Sequence, residues 1–351
     1  MKLRENVILA PYSTFRIGGP ARYFVEASTR GEIEEGLQLA ADRGVPLFIL
    51  GGGSNLVIAD AGFPGLVLHV ALRGIESHLD GDRVLVTAGA GENWDDLVEL
   101  VVRNDWAGFE CLSGIPGSVG ATPIQNVGAY GQEVKETIVE VTALDRQTGA
   151  TRTFSNEECH FGYRMSRFKN EEPNRFLVVS VTYSLRPGGA PSIRYPDVQR
   201  YFTEAGFAQP TLQQVRDGVI EIRSRKGMVV RDDDPDSRSA GSFFMNPIVS
   251  EEEAERFFER ARARSPRDQK IPAFEAAGGK KLSAAWLVEN AGFQRGLMHG
   301  NVGISSKHTL ALVNRGSGTA RELMELRDMI QSRVRDVFGV ELQPEPNFVG
   351  F

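Results

Sequence analysis

The chain has 351 residues, which at ~150 residues per domain predicts two or three domains with ample core. Its 40 Lys and Arg residues against 46 Asp and Glu give a formal net charge of −6, so we expect neither nucleic acid nor a membrane as a partner. The two cysteines, Cys111 and Cys159, argue against a disulfide framework. The N-terminus lacks an apolar signal core, and no segment approaches the ~18 apolar residues that span a bilayer. We therefore expect a cytoplasmic protein.

Hydrophobic periodicity predicts mixed helices and strands in the first part of the chain. We expect a helix over residues 31–44, a strand over 45–50 that runs into the glycine-rich loop 51–55, and a helix after the N-cap residue Asn93. Further strands are predicted over 65–70, 83–88, 137–144 and 176–185. Loop 51–55 follows the carboxyl end of a strand, where open α/β sheets bind ligands. The pattern is typical of an α+β fold with a ligand loop.

The later part of the chain is predicted to be richer in helices. A helix over 211–226 precedes the Asp-rich loop 231–239, near which a domain boundary is expected. The following elements are a strand over 241–249, a helix with the capping box Ser250 to Glu253, a short helix over 283–292, a strand over 310–314, a helix over 319–338 and an extended tail after Gly339. No internal repeat interrupts this order.

Two glycine-rich loops, residues 51–55 and 113–131, are the main candidates for ligand binding. The first lacks the third glycine of the G-x-G-x-x-G motif and the second lacks the lysine of a P-loop, so neither predicts a standard nucleotide site. Bare backbone N–H groups are good donors to a pyrophosphate. Either loop alone could equally be a tight turn. Together they favour a cradle for a dinucleotide.

Three further positions could carry chemistry, and each has a plainer explanation. Segment 161–169 alternates aromatic and cationic residues, so Arg164 could bind a carboxylate, although a solvated basic strand is commoner. Ser242 lies in no G-x-S-x-G turn, which argues against a hydrolase nucleophile. Glu345 lies between prolines in an extended segment and could be an ordinary surface carboxylate. The five histidines lack paired spacing, so no metal site is expected.

Six ordered segments of the chain resemble those of the UDP-N-acetylenolpyruvoylglucosamine reductase (MurB) family, in its subclass with a tyrosine-bearing substrate loop. They are residues 12–21, 50–60, 114–131, 162–169, 240–247 and 342–350. The resemblance implies an α+β fold with a vanillyl-alcohol-oxidase/PCMH-like FAD-binding domain over residues 1–210, in two subdomains of about 1–65 and 66–210. It also implies a smaller C-terminal α/β substrate domain over 211–351, whose tail, 340–351, returns to the active site.

The resemblance implies NADPH-dependent reduction of UDP-N-acetylglucosamine enolpyruvate to UDP-N-acetylmuramate through bound FAD, in peptidoglycan synthesis. Arg164 looks like the family's arginine that polarises the substrate carboxylate. Glu345 resembles the glutamate that helps to hold the enolate, and Ser242 matches the donor of a proton to C2. Since charge develops on the enolate, a fixed cation beside it is the chemistry that the reaction requires.

The resemblance also assigns binding residues to this sequence. The cofactor contacts would be Gly51, Gly52, Gly53, Ser54, Asn55, Ser113, Gly114, Gly117, Ser118 and Gly120. Neither loop contains a histidine for a covalent flavin link, so FAD should be bound non-covalently. Tyr195 would close over the substrate, and Lys226, Asn246 and Asn290 would contact it.

Two other interpretations of the same loops stay open. A generic FAD oxidase of the same superfamily would explain the loops but not the combination of Ser242 with Glu345. A non-catalytic module that binds a flavin or a nucleotide sugar would need none of the three catalytic candidates. The sequence does not decide the oligomeric state, for which a monomer is compatible, or the preference for NADPH over NADH.

Overall fold

A computed structural model describes residues 1–264 and 271–351 of the chain. Its α-helices are α1 (Arg30–Asp42), α2 (Trp94–Arg103), α3 (Pro196–Glu204), α4 (Leu212–Arg225), α5 (Glu251–Arg262), α6 (Ala284–Asn290) and α7 (Ala320–Phe338). Within these described residues, no helix has the length and apolar content needed to cross a bilayer.

The strands of the first half are β1 (Leu3–Ile8), β2 (Pro20–Ala27), β3 (Leu47–Leu50), β4 (Leu56–Ile58), β5 (Phe63–Val70), β6 (Ile75–Asp80), β7 (Arg83–Gly89), β8 (Trp106–Ala107), β9 (Gly128–Ala129), β10 (Gln132–Glu133), β11 (Ile138–Asp145) and β12 (Thr151–Ser155). The later strands are β13 (Phe176–Pro187), β14 (Ile248–Val249), β15 (Ala273–Ala276), β16 (Gly279–Leu282), β17 (Met298–His299), β18 (Val302–Ile304), β19 (Leu312–Asn314) and β20 (Asn347–Val349).

Internal contacts divide the chain into two units. The first unit contains residues 1–7, 20–53 and 63–225, and the second contains residues 8–19, 54–62 and 226–351. The chain therefore enters the second unit for short stretches before its final passage at residue 226. The expected division into functional domains after residue 210 stays a prediction.

The first unit contains a mainly parallel sheet that positions the first glycine-rich loop. Its strand order is β1-β2-β5-β3, and β5 runs parallel to both β2 and β3. Helix α1 joins β2 to β3 and begins at Thr29, whose side chain forms a capping box with Glu32. Ile33 of α1 and Leu68 of β5 are fully buried in one apolar cluster. This packing fixes β3, whose carboxyl end leads into Gly51.

An antiparallel sheet forms the rest of the core of the first unit. Its strand order is β12-β11-β13-β7-β6, with β8 paired to β13. Helix α2 begins at Asn93, whose side chain accepts hydrogen bonds from two backbone N–H groups of the first turn. Its first residue, Trp94, packs against Phe109 and Tyr183, with ring centroids 4.9 and 5.9 Å away. The Tyr183 hydroxyl lies 2.9 Å from the Thr122 hydroxyl oxygen. Aromatic packing therefore anchors the start of α2.

The second unit is built from helices and small sheets. Strands β14-β16-β15 and β17-β18-β19 form two antiparallel sheets, and β20 pairs in parallel with β4. Phe257 of α5, Trp286 of α6 and Phe338 of α7 contact one another with ring centroids 5.3 to 5.9 Å apart. Ser250 and Glu253 form the predicted capping box at the start of α5. These aromatic contacts join α5, α6 and α7 in one apolar core.

The predicted helices are found within one or two residues of their expected starts, as local patterning allows. The expected strand over 241–249 is wrong, because only its last residues form a strand, β14. Gly241 has a left-handed backbone, with φ of 73°. The N–H of Phe243 donates to Leu310 and the N–H of Met245 donates to Gln343. Since these acceptors lie on different segments, no regular ladder forms.

Candidate functional site

The expected site residues fall in both units, and Gly51, Gly52 and Gly53 of the first glycine-rich loop lie in the first unit. A Cβ atom on Gly52 would lie 2.6 Å from backbone atoms of Gly117, and one on Gly51 would lie 2.7 Å from the Ser118 hydroxyl oxygen. The Gly52 N–H donates to that oxygen at 3.2 Å. A side chain at Gly52 would therefore force the two loops apart, and one at Gly51 would displace the Ser118 hydroxyl. The glycines allow the backbones of the two loops to pack directly against each other.

Loop backbone groups offer donors for an anionic group. The N–H groups of Gly53 and Ser118 have no acceptor among residues 1–264 and 271–351. Gly53 is buried and has φ of 64°, a conformation that glycine adopts without strain. Buried N–H groups without acceptors are rare in proteins, and a phosphate oxygen would satisfy them. The paired loops therefore fit the pyrophosphate of a dinucleotide such as FAD.

The second loop is held by Asp95, which sequence patterns did not single out, and by Ser113. The Gly114 N–H donates to Oδ1 of Asp95 at 2.6 Å, and the Ser113 hydroxyl donates to the Glu110 carbonyl at 2.7 Å. Asp95 lies in the first turn of α2 and accepts two hydrogen bonds from Arg216. A carboxylate at the start of a helix is usually explained by its interaction with the helix dipole. The position of Asp95 in the sequence therefore gave no sign that it contacts the second loop.

Gly120 of the same loop is also fixed by a close approach. A Cβ atom there would lie 2.6 Å from the Ala90 side chain, while the Gly120 N–H donates to the Ala90 carbonyl at 2.9 Å. The loop can lie this close to residue 90 only because position 120 has no side chain. This part of the second loop is therefore a structural contact as well as a candidate binding segment.

Arg164 occupies a tight turn in the first unit. Its φ of 55° is unusual for a residue other than glycine. Gly162 and Met165 exchange backbone hydrogen bonds around it at 3.0 and 3.2 Å, and Arg164 Nη2 donates to the Gly128 carbonyl at 3.1 Å. Asn126 holds the turn by donating to the Gly162 carbonyl at 2.9 Å. Such strained, over-determined backbone is typical of functional positions.

Tyr195 precedes α3 and belongs to an aromatic and cationic cluster of the first unit. Its ring packs edge-to-face on Tyr130, with centroids 5.6 Å apart. Burial raises the pKa of Tyr130, whereas the positive charge of Arg223 acts in the opposite direction. Burial also lowers the pKa of Arg223. Sequence patterns do not single out Tyr130, because only the fold brings it to Tyr195 and within electrostatic reach of Arg223.

Ser242 and Glu345 lie on neighbouring segments of the second unit. Phe244 and Pro344 form an isolated antiparallel bridge, in which the Glu345 N–H donates to the Phe243 carbonyl at 2.9 Å. Both Ser242 and Glu345 are half-buried. The fold therefore brings these two candidates, about a hundred positions apart in sequence, to adjacent backbone segments.

Ser54 and Asn55 belong to the second unit and contact its tail. The Thr14 hydroxyl donates to the Ser54 carbonyl at 3.3 Å and to the Ser239 carbonyl at 2.6 Å. Asn55 Nδ2 donates to the Glu345 carbonyl at 3.2 Å, and the Asn347 N–H donates to the Asn55 carbonyl at 2.9 Å. These bonds fix the segment that carries Glu345.

Asn246 is bonded to the first residue of α6, and Asn290 is the last residue of this helix, which is about 10 Å long. Asn246 Oδ1 accepts the Ala284 N–H at 2.9 Å, and Asn290 Nδ2 donates to the Trp286 carbonyl at 2.8 Å. Both amides therefore bond to backbone groups of α6, and the structure does not bring them together.

Lys226 directly follows α4. Its positive charge acts on His308, whose pKa is lowered to about 4 mainly by burial.

Two family models match the chain. The model of the C-terminal domain of UDP-N-acetylenolpyruvoylglucosamine reductase matches residues 233–349, and an FAD-binding domain model matches residues 21–155. The second match includes both glycine-rich loops through residue 131, and the first includes Ser242 and Glu345. Within the described ranges, no three His, Cys, Asp or Glu side chains are grouped so that they could hold a metal ion.

Curated relatives resemble the chain over nearly its whole length. The UDP-N-acetylenolpyruvoylglucosamine reductase of Streptomyces coelicolor is 48% identical, covering 97% of this chain and 89% of the relative. That of Thermobifida fusca is 45% identical, covering 99% and 98%. The crystal structure of the reductase from Thermus caldophilus matches with a TM-score of 0.66 at 25% identity, covering 99% of this chain and 100% of that one. The chain belongs to the UDP-N-acetylenolpyruvoylglucosamine reductase family.

Proposed function

We propose that the chain reduces UDP-N-acetylglucosamine enolpyruvate to UDP-N-acetylmuramate with NADPH and non-covalently bound FAD, as a step of peptidoglycan synthesis. The observation that carries this function is the similarity to reductases of that name, at 48% and 45% identity over 97% and 99% of the chain. Bound FAD would supply the hydride transfer from NADPH to C3 of the enolpyruvyl group. The protein must bind both molecules and control charge and proton transfer at the substrate.

Among the described residues of the first unit, Gly51, Gly52 and Gly53 with Ser113, Gly114, Gly117, Ser118 and Gly120 are proposed to hold the FAD pyrophosphate. The support is the backbone packing of the two loops and the N–H groups of Gly53 and Ser118 that lack acceptors in the described chain. Ser54 and Asn55 continue the first loop and stay predictions. Asp95 positions the second loop through Gly114.

Arg164 is proposed to bind and polarise the substrate carboxylate. Negative charge builds up on that carboxylate and on C2 as hydride arrives at C3, so a cation fixed in advance lowers the barrier. The turn around Arg164 supports this role, because hydrogen bonds from Gly162, Met165 and Asn126 hold the backbone at φ of 55°. A guanidinium keeps its charge throughout the physiological pH range.

Ser242 and Glu345, both in the second unit, are proposed to act in proton transfer and in stabilising the enolate. The Ser242 hydroxyl would give its proton to C2, and Glu345 would help to hold the enolate. A serine hydroxyl is a weak acid, so the transfer depends on a strongly basic acceptor and on positioning. The bridge between Phe244 and Pro344 supports such positioning, since it fixes the segments that carry both side chains.

The remaining substrate contacts are proposed for Tyr195, Lys226, Asn246 and Asn290.

We also propose a cytoplasmic location, which the two cysteines support. Cys111 and Cys159 are buried free thiols, and burial raises the pKa of each to about 12. Since the two cysteines are not joined in a disulfide, they fit a reducing compartment, in which thiols stay free.

The test uses the purified full chain loaded with FAD. We expect NADPH to bleach the flavin absorbance without rapid oxygen uptake, and the enolpyruvyl sugar nucleotide to restore it with formation of UDP-N-acetylmuramate, identified by mass spectrometry. UDP-N-acetylglucosamine, which lacks the enolpyruvyl group, is the matched control and should restore nothing. Rapid oxygen uptake would instead indicate a generic oxidase, and failure to bind FAD would leave only a binding module.

A further inference from the structure

A pocket of about 460 Å³ lies in the first unit, away from the glycine-rich loops. One wall is the last two turns of α1 with the start of β3, including Leu37, Ala41 and Leu47. The opposite wall contains Arg146, after β11, and Asn174, before β13. We call it the Arg146 pocket. Its volume falls in the range of ~300–1,000 Å³ that is usual for small-molecule sites.

The two arginines of this pocket differ in how their charge is compensated. Arg175 Nη2 pairs with Asp145 at 2.9 Å, and its Nη1 pairs with Glu172. Arg146 has no carboxylate partner among residues 1–264 and 271–351. Its Nη1 donates to the Asn174 carbonyl at 2.6 Å, while its buried Nε has no acceptor in the same described chain. The Arg146 pocket therefore holds one cation that the described chain does not neutralise.

The pKa values of the two arginines are shifted in opposite directions. Asp145 raises the pKa of Arg175, whereas burial lowers the pKa of Arg146. A partly buried guanidinium without an anion is held at a cost that a bound carboxylate would relieve. Asn174 has a left-handed backbone, with φ of 63°, which asparagine tolerates, and its carbonyl accepts the hydrogen bond from Arg146. The bond to Asn174 therefore holds the Arg146 guanidinium in the pocket wall. Part of the hydrogen-bonding capacity of this guanidinium stays unused in the described chain.

Most of the last carbonyls of α1, the helix that lines the pocket, are hydrogen-bonded. The last carbonyls of a helix are electronegative and would disfavour one if they were open. In α1, the carbonyls of Leu39, Ala40 and Ala41 accept hydrogen bonds from the N–H groups of the three residues 43–45. The α1 wall therefore presents mainly aliphatic side chains to the pocket.

We propose that the Arg146 pocket binds a small monocarboxylate with an apolar body, at a site separate from that of the reductase reaction. The carboxylate would pair with Arg146 in the planar geometry that suits a guanidinium, and the apolar body would lie on Leu37, Ala41 and Leu47. A single uncompensated cation favours one negative charge over a diphosphate. The Gly44–Val45 connection, which lines the pocket, leads into the strand before Gly51.

The test measures binding of 4-(trifluoromethyl)benzoate to the FAD-loaded full chain by fluorine NMR. The neutral 4-(trifluoromethyl)benzamide is the matched probe. Because a charge-assisted hydrogen bond contributes up to ~3 kcal/mol, we expect the benzoate to bind roughly 10- to 100-fold more tightly than the amide. Equal binding of the two probes, or no binding of the benzoate at millimolar concentration, would overturn the proposal.

Two variants locate the site, and a third controls for charge. Arg146→Met keeps an apolar stem and should weaken benzoate binding by roughly tenfold or more. Ala41→Met should also block binding, by filling the pocket while Arg146 stays in place. Arg83→Met removes an exposed arginine outside the pocket and should bind as the parent does. Circular dichroism checks that each variant folds. Unchanged binding in both Arg146→Met and Ala41→Met would refute the assignment.

Discussion

Asp95 and Arg216 form a two-pronged ion pair between α2 and α4, 121 positions apart in sequence, with nitrogen–oxygen distances of 2.7 and 2.9 Å. The Arg216 side chain is only 7% exposed. The same Oδ1 of Asp95 accepts the Gly114 N–H. This one carboxylate therefore joins two helices to the second glycine-rich loop, and ties the proposed cofactor contact to the packing of the first unit.

Replacing Asp95 with Ala should loosen that loop and destabilise the first unit. Arg216 would be left as a nearly buried cation with only the Glu99 carboxylate, 3.8 Å away, as a partner among the described residues, which costs roughly 2–4 kcal/mol. We expect the FAD dissociation constant to rise at least about tenfold, because the Gly114 N–H loses its anchor. Flavin fluorescence titration and urea unfolding measure the two effects. Arg103→Ala, at an exposed pair on the same helix, should change neither quantity. Unaltered FAD affinity in Asp95→Ala would show that the bond from Gly114 to Asp95 is dispensable for cofactor binding.

The variant Arg164→Ala should retain FAD while losing turnover. Removal of one fixed charge stabiliser typically lowers kcat by ~100- to 1,000-fold. Steady-state NADPH consumption gives the rate, and the flavin absorbance of the purified protein gives the FAD content. Arg167→Ala, three positions along the chain, is the control, since Arg167 pairs with Glu172 at 2.6 Å. An Arg164→Ala protein without FAD would instead assign this residue to cofactor binding.

The variant Ser242→Ala should separate the two halves of the reaction. The proposed proton donor acts only at C2 of the substrate, so NADPH should still bleach the flavin at the parent rate. Return of the flavin absorbance after addition of the enolpyruvyl sugar nucleotide should be slower by ~100-fold or more. Stopped-flow absorbance follows both steps, and Ser242→Cys, which keeps a proton on the side chain, should recover part of the rate. An equal loss in both steps would contradict the assignment.

Glu110 is expected to be a stabilising residue with no part in the chemistry. It is 1% exposed, and its carboxylate accepts hydrogen bonds from Gly108 N–H, Gln132 Nε2 and Ser192 N–H at 2.7 to 2.9 Å. Glu110→Ala leaves these three donors unsatisfied, so the free energy of unfolding should fall by roughly 2–5 kcal/mol. Urea unfolding measures it, with the exposed Glu204→Ala as the control. A loss equal to that of the control would show that water replaces the carboxylate.

His308 should make the second unit less stable in acid. Its pKa is lowered to about 4, mainly by burial and also by Lys226, while Glu289 opposes the shift and Arg295 adds to it. Between about pH 4 and the ordinary histidine pKa of ~6.5, the unfolded chain takes up a proton that the folded chain does not, so stability is complete above this window and falls as the pH drops through it.

We expect urea unfolding of the second unit to show roughly 1–2 kcal/mol less stability at pH 5 than at pH 7 from this residue. His308→Gln should remove that part of the pH dependence. His78→Gln, at an exposed histidine, serves as the comparison and should leave the pH dependence as it is in the parent. If the parent and His308→Gln respond identically to pH, His308 is protonated without penalty in the folded protein.

Signals contained within a few neighbouring residues predicted much of the secondary structure. Asn93 and Ser250 mark the starts of α2 and α5, as their capping side chains predict. The glycines of the two loops also stood out as a pattern, although the sequence left turn formation and ligand binding as equal explanations for each loop alone. The strand expected over 241–249 failed because its hydrogen-bond partners lie on two different segments.

The sequence alone determined the helix starts, the glycine-rich loops and the family resemblance, since each is encoded in local or ordered residue patterns. Only the tertiary structure decided that Asp95 meets Arg216 and that Asn55 meets Glu345 across 290 positions. It also decided that Arg146 lacks a carboxylate partner in the described chain, whereas Arg175 has two. These pairings depend on which distant backbone and charged groups are buried together, and burial is a property of the packed chain.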